Sequence, residues 1–267
     1  MTDQPDPDQP SPDQPDPDQP SRDQPAAERD RTGRTGAEQP ARREPFAMDG
    51  GPWAMQLAIR DDRPDRPGHL AVCAAAGEAV VRLLTDPRSV DGRWTPYVRH
   101  WMDGRIRKVV RRGRGATFAA TGVLEHVEVD RKGTVVRAFV PGPTDAVPRE
   151  LSRLQVAGTD LPRDGDISPG GEGLLVTVAL NPLAAMTTGK AAAQTGHAAQ
   201  LAWMALQPPE LAPVLDRWRA QEFAVRVVLP GEREWRRWLG NAPVTVRDAG
   251  FTEVEPGTLT AVAAWDG

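Results

Sequence analysis

The chain lacks what a disulfide scaffold or a membrane protein needs. It carries one cysteine, Cys73, in 267 residues, so no internal disulfide framework can form. No run approaches the roughly 20 apolar residues of a spanning helix. Aromatics make up only 5% of the chain. Positive charge is not in excess, with 33 Lys and Arg against 37 Asp and Glu. That balance argues against a surface coated for bulk nucleic-acid binding, but it permits a local basic patch. There is no Gly-x-Ser-x-Gly turn for an activated serine. The four histidines, His69, His100, His126 and His197, are scattered, and none stands at zinc-ligand spacing with a cysteine.

Large aliphatic residues are missing from the first 45 positions after Met1. What stands there is near-repeats of Asp-Gln-Pro, followed by an arginine-rich stretch. Such a segment cannot bury enough surface to offset its ordering entropy. Residues 1–45 are therefore expected to be a disordered tail. Without an apolar central region it is no signal peptide, which points to a cytoplasmic protein.

From residue 53 onward the pattern is α/β. Apolar runs at 55–60, 106–110, 127–130 and 135–140 predict strands, and 69–84 predicts a helix. The order recurs with strands at 174–180, 223–229, 244–248 and 259–264. Helices are expected at 190–206 and 232–239. First strand to helix start spans about 14 residues in one half and about 16 in the other. Such matched spacing favours an internal duplication. The expected fold is two similar three-layer α/β units, each a small mixed sheet flanked by helices. They would occupy 53–143 and 174–267, joined by a connection at 144–173.

Two stretches carry candidate chemistry. On a helix, Lys190, Gln194 and His197 fall at i, i+4 and i+7 and share one face. Ala192, Gly196 and Ala199 on another side allow close packing. Thr187 or Thr188 can cap the start. An ammonium in the first turn opposes the helix dipole and calls for a partner. Lys190 is one of only three lysines, with Lys108 and Lys132, among 33 cations. That rarity suggests a need for a compact ammonium, although a lone lysine is by default a surface residue. The second stretch runs from Val246 to Val254. There Asp248-Ala249-Gly250 reads either as a carboxylate held at a strand end, where α/β sheets bind ligands, or as an ordinary Asp turn.

Together these stretches resemble the peptidyl-tRNA hydrolase type 2 family. That family shows Gly-Lys-x-Ala-Ala-Gln-x-x-His-Ala-Ala at a helix head, then Asp-Ala-Gly-x-Thr, Pro-Gly-Thr and a closing strand. Here these are 189–199, 248–252, 256–258 and 259–264. The resemblance implies hydrolysis of the ester joining a peptide to the 3′ end of tRNA, with no metal or cofactor. It implies Lys190, Asp248 and Thr252 as the catalytic group, with Gly189, Gln194 and His197 beside the substrate. Lys190 suits an oxyanion contact or a phosphate contact. Asp248 suits orientation better than base catalysis, since a carboxylate held by an ammonium is a weak base. Thr252 could hold the water. Thr188, Phe251 and Glu253 depart from the basic, basic and Gln residues common at those family positions.

In the first half, alignment sets His69, Cys73 and Ala76 against Lys190, Gln194 and His197. That half reads as a chemically dead copy. It holds the densest basic run, Arg99, Arg105, Arg107, Lys108, Arg111, Arg112 and Arg114 around Trp101. Arg107, Lys108, Arg111 and Arg112 are expected to track tRNA phosphates; the plainer reading is a solvated charged face. Family members generally pair as dimers, so a fused copy could replace the second subunit and leave a monomer; a homodimer is the other option. A non-catalytic RNA-binding or scaffold protein of the same fold is the competing reading.

Overall fold

The computed structural model describes residues 51–64, 66–169, 173, 175–249 and 253–266. The expected tail at 1–45 and Thr252 lie outside the described residues. The first half runs β1 (Trp53–Arg60), α1 (His69–Thr85), α2 (Pro87–Val90), α3 (Thr95–Asp103), β2 (Arg107–Gly113), α4 (Gly115–Ala120), β3 (His126–Arg131), β4 (Thr134–Phe139), β5 (Gly142–Pro143) and α5 (Arg149–Ser152). The second runs β6 (Val176–Leu180), α6 (Thr188–Ala205), α7 (Ala212–Ala220), β7 (Val225–Val228), α8 (Glu232–Asn241), β8 (Val244–Arg247) and β9 (Leu259–Trp265). No helix among the described residues is long and apolar enough to cross a membrane.

The fold is mixed α/β, with two mixed sheets flanked by helices. The first sheet has the order β2-β1-β4-β3 and the second β7-β6-β9-β8. β1 pairs parallel with β2 and antiparallel with β4; β6 pairs parallel with β7 and antiparallel with β9. β3 with β4, and β8 with β9, close each sheet as antiparallel pairs. Strand order and direction thus agree between the halves.

Burial explains the strand patterns. β1 is interior and buried along nearly its whole length, which is why it reads as an unbroken apolar run. β8 is an edge strand and alternates buried with exposed. β2 begins at Arg107 because Ile106 sits at a φ of 30°, in the left-handed region that a strand cannot use. It then runs on to Gly113, the partner of Arg60.

Helices α1 and α6 lie between the two sheets and pack on each other. α1 packs on β3 and β4 and also on β7; α6 packs on β6, β8 and β9 and also on β2. One continuous core results, and the described residues form one compact unit. Outside this layer, Phe118, Leu151 and Leu154 cover the far face of the first sheet, while Trp235 of α8 covers that of the second.

The close approach of the central helices depends on two glycines. A Cβ on Gly77 would stand 3.1 Å from Thr195 Cγ2 and 3.4 Å from Ala199 Cβ and Val225 Cγ2. A Cβ on Gly196 would stand 3.1 Å from both Val80 Cγ2 and Lys108 Cδ. Each glycine therefore meets the other helix and the parallel edge strand of the other sheet. The helix starts, His69 and Thr188, have the same offset as Gly77 and Gly196. This offset corrects the alignment read from sequence by two positions. Ala71, not His69, stands opposite Lys190, and Glu78 stands opposite His197.

The connection is built into the core. His69 N donates to Pro162 O at 2.8 Å and Gly189 N to Thr159 O at 2.9 Å. Asp164 accepts from Leu70 N at 2.7 Å and Ala71 N at 3.0 Å, capping α1. Further on, Ser168 pairs with Val227 beside β7. One segment thus covers the N-termini of both central helices, where unpaired N–H groups need acceptors.

Candidate active site

The first turn of α6 faces the end of β8. Thr187 caps the helix, its hydroxyl accepting from Lys190 N at 3.3 Å. Thr187 in turn donates its N–H to Glu253 Oε2 at 2.8 Å and its hydroxyl to Oε1 at 2.7 Å. A carboxylate at a helix N-terminus is favoured by the exposed N–H groups and the dipole.

Lys190 Nζ donates to Asp248 Oδ2 at 2.5 Å. The two side chains are 10% and 7% exposed. This pairing answers the electrostatic problem of a first-turn lysine. Gln194 Nε2 donates to the same oxygen at 2.7 Å, so one carboxylate oxygen collects an ammonium and an amide from successive turns of α6.

Thr260 fixes the Gln194 amide. Its hydroxyl lies 2.8 Å from Gln194 Oε1, which leaves the NH₂ end for Asp248. Thr260 reaches this position through a register shift in β9. Ala261 stands opposite Val246, yet Leu259 stands opposite Arg247, so Thr260 is the extra residue of a bulge. Strand residues alternate faces; without the bulge Thr260 would point with Val262 toward α8. The bulge turns it toward α6, where it is fully buried. Asp248 keeps the inward parity of Val244 and Val246. Its backbone is held on both sides, with its N–H to Thr258 O at 2.9 Å and its carbonyl accepting from Gly257 N at 2.7 Å.

His197 shares the helix face but meets other partners. Its Nδ1 lies 3.3 Å from Lys108 Nζ, which also donates to Gln200 Oε1 at 2.6 Å. Burial, then Lys108 and Lys190, hold the His197 imidazole well below its ordinary pKa. Burial likewise lowers that of Lys108. Gly189 packs its backbone on the connection, since a Cβ there would meet Thr159 Cβ at 3.2 Å.

The basic run expected as a phosphate track does not form one surface. Successive residues of β2 point to opposite faces. Lys108 turns into the central layer, over the Trp101 ring at 4.9 Å. Arg111 turns the other way and donates to Gln56 Oε1 at 2.8 Å and Leu151 O at 3.3 Å. Arg112, Arg114 and Arg66 converge on the fully buried Asp61 carboxylate at 2.9, 3.0 and 2.7 Å. Burial raises the Asp61 pKa, but the three guanidiniums outweigh it and hold it at about 2. Arg107 is partly buried, its carbonyl accepting from Trp101 Nε1 at 3.0 Å. Only Arg99, Arg105 and Arg114 of the run are well exposed. Trp101, read as the centre of that patch, is a core residue at 1% exposure.

The sequence pattern does not mark Glu253 and Thr260 as members of this arrangement, and it sets Lys108 on a phosphate track rather than beside His197. Glu253 and Thr260 meet α6 only through long-range pairing. Lys108 carried the same rarity signal as Lys190, but it was read with the surrounding arginines. Cys73 is fully buried, and burial pushes its thiol up to about 12, which makes it a poor nucleophile. Among the described residues, no group of three or more His, Cys, Asp or Glu is placed to hold a metal ion.

No curated protein and no solved structure matches the chain. Residues 174–265, which contain Lys190, Gln194, His197 and Asp248, match the family model described as Peptidyl-tRNA hydrolase PTH2.

Proposed function

We propose that the chain hydrolyses the ester bond of peptidyl-tRNA, releasing peptide and free tRNA. The observation that carries this reading is the Lys190–Asp248–Gln194 cluster, at the rim of the second sheet and inside the region similar to the PTH2 family. Water attacks the acyl carbon. A new C–O bond forms, and negative charge develops on the carbonyl oxygen. The ammonium of Lys190 stabilises that charge, an effect worth most in a partly desolvated site. The acyl–O3′ bond then breaks, and the proton lost by water ends on the 3′ oxygen of the tRNA. Asp248 orients Lys190, with Gln194 and Thr260 fixing the carboxylate in turn. Thr252 is assigned the attacking water from its place in the motif 248–252. Gly189 and His197 lie beside the substrate.

Residues 53–143 are read as a degenerate copy of the unit at 174–267. Equal strand order, equal strand directions and the equivalent glycines Gly77 and Gly196 support that reading. Ala71, where the second unit has Lys190, supports a first unit without chemistry. The copy is proposed to take the place of a second subunit, and the protein to act as a monomer in the cytoplasm. Arg99 and Arg105 remain exposed and are assigned as phosphate contacts.

The test is peptide release from N-acetylaminoacyl-tRNA by the native chain and by Lys190→Ala. Release that depends on Lys190 is expected. No release by either chain turns the assignment to a non-catalytic RNA-binding protein of the same fold, and equal release by both removes Lys190 from the catalytic group.

A further inference from the structure

We propose that Glu253 is a positioning residue for Lys190: it completes the cap of α6 from outside the helix, so that the first turn can carry the ammonium. This rests on the hydrolase reading above. Thr187 is the N-cap residue, which makes Lys190 the third residue of the helix. Helices that begin on Ser or Thr commonly place Glu or Gln at that third position, and its side chain reaches back to the N–H of the cap residue. Lys190 cannot do so, because an ammonium has no acceptor. Glu253, 66 positions away, supplies the acceptor instead, its Oε2 taking the Thr187 N–H at 2.8 Å.

The other oxygen of the same carboxylate reaches the capping hydroxyl. Thr187 Oγ1 donates its single proton to Glu253 Oε1 at 2.7 Å, which leaves its lone pairs for Lys190 N, 3.3 Å away. A hydroxyl proton rotates to suit its acceptors, so the carboxylate sets the rotation of that hydroxyl. The contacts form a direct chain. Glu253 holds Thr187, Thr187 holds the Lys190 backbone, and Lys190 Nζ reaches Asp248. A negative charge at this end also offsets the dipole that opposes a first-turn ammonium.

The first half supplies the contrast. In α1, whose N-cap is Gly68, the third residue is Ala71, which has no charged group to aim. There the outside carboxylate, Asp164, takes the N–H groups of Leu70 and Ala71 themselves. In α6 the equivalent N–H groups are met by other partners, Gly189 by Thr159 O and Lys190 by Thr187 Oγ1. The outside carboxylate acts one step back, on the cap residue. Asp248 and Glu253 also bound residues 249–252 in the chain, and both bind α6. The stretch that contains Thr252 is thus tied to the helix at both of its ends.

The test measures peptide release from N-acetylaminoacyl-tRNA by the full chain, by Glu253→Ala and by Glu253→Gln, with kcat and KM read separately. Glu253 is exposed, so neither change disturbs the core, and circular dichroism checks the fold. Glu253→Ala is expected to lower kcat by roughly 10- to 100-fold with KM within about threefold, since a displacement of about 1 Å in a reacting group costs about 10²-fold. Glu253→Gln keeps one acceptor oxygen and should fall between Ala and the native chain. In a Lys190→Met background, Glu253→Ala should cost less than about threefold more, because the group it aims is gone. A cap that only stabilised α6 would leave kcat unchanged in the folded variant. That result, a change confined to KM, or a full further loss in the Lys190→Met background overturns the proposal. If the native chain releases no peptide, the hydrolase reading fails and the tie is judged by hydrogen exchange. Faster exchange of the Thr187 and Lys190 amides in Glu253→Ala keeps it, and unchanged exchange removes it.

Discussion

Replacing Lys190 by Met and Asp248 by Asn, singly and together, tests whether they act as one unit. Lys190 and Gln194 donate to a single carboxylate oxygen at 2.5 and 2.7 Å, so Asp248 aims both groups. A preorganised donor at a developing oxyanion is worth about 10²- to 10³-fold in kcat, or about 2.7–4 kcal/mol. Either single change should therefore lower kcat by about that factor while KM stays within about threefold. The double variant should be slower than the worse single variant by less than about tenfold, because the second change removes a group already misplaced. Single-turnover release from N-acetylaminoacyl-tRNA reads the chemical step directly. Urea unfolding of each variant separates this loss from instability, since breaking a buried pair costs about 3–5 kcal/mol. A raised KM with kcat intact in Lys190→Met would make the ammonium a phosphate contact. Additive losses in the double variant would refute the claim that Asp248 works through Lys190.

Three further outcomes follow from the packing. His197 and His69 have lowered pKa values in the folded chain, so the unfolded chain binds more protons just below about pH 6.5. Stability should fall as pH drops through that region, and His197→Gln should flatten the fall; an unchanged urea midpoint profile would count against it. Asp61→Asn leaves three guanidiniums without their carboxylate. The shift from 3.8 to about 2, discounted because the arginines are 18–46% exposed, corresponds to about 1–2 kcal/mol. This contribution is present above about pH 4 and fades toward pH 2, so the difference from wild type should close over that interval. Gly196→Val should destabilise by about 1–3 kcal/mol through overpacking against Val80, whereas Gly240→Ala, with nothing within 4 Å of its Cβ position, should stabilise by up to about 1 kcal/mol; equal effects would show that α1 and α6 are not tightly apposed.

Elements whose burial follows one period were legible. β1, α1 and α6 are apolar because both central helices and the inner strands are covered on most sides. Elements mixing charge with aromatics were not. In α3, Tyr97, Val98 and Trp101 are buried at helical spacing, but the arginines around them drew the reading toward a surface patch. In α7, Leu215 and Trp218 carry the buried face alone, too sparse a pattern beside its charges. β2 shows a different failure. Its arginines read as solvent-facing, yet Arg111 donates to the Gln56 amide oxygen and Arg112 Nη1 to the buried Asp61 carboxylate, and arginine is buried readily when paired.

The site divides along the same line. Lys190, Gln194 and His197 share a helix face because of local spacing, which sequence records. What fixes Gln194 is a bulge 66 positions away, and no local pattern announces a single extra residue in a strand. The proposed duplication adds a second reason. In a lone unit the face of α6 bearing Gly196 would be exposed; here it receives Val80 and Lys108. Lys108 then brings an ammonium to His197 and Gln200, while His69 reaches Thr188 at the other end of the helix contact. The first half thus presses two of its polar side chains, Lys108 and His69, on α6, through packing that its own sequence pattern does not encode.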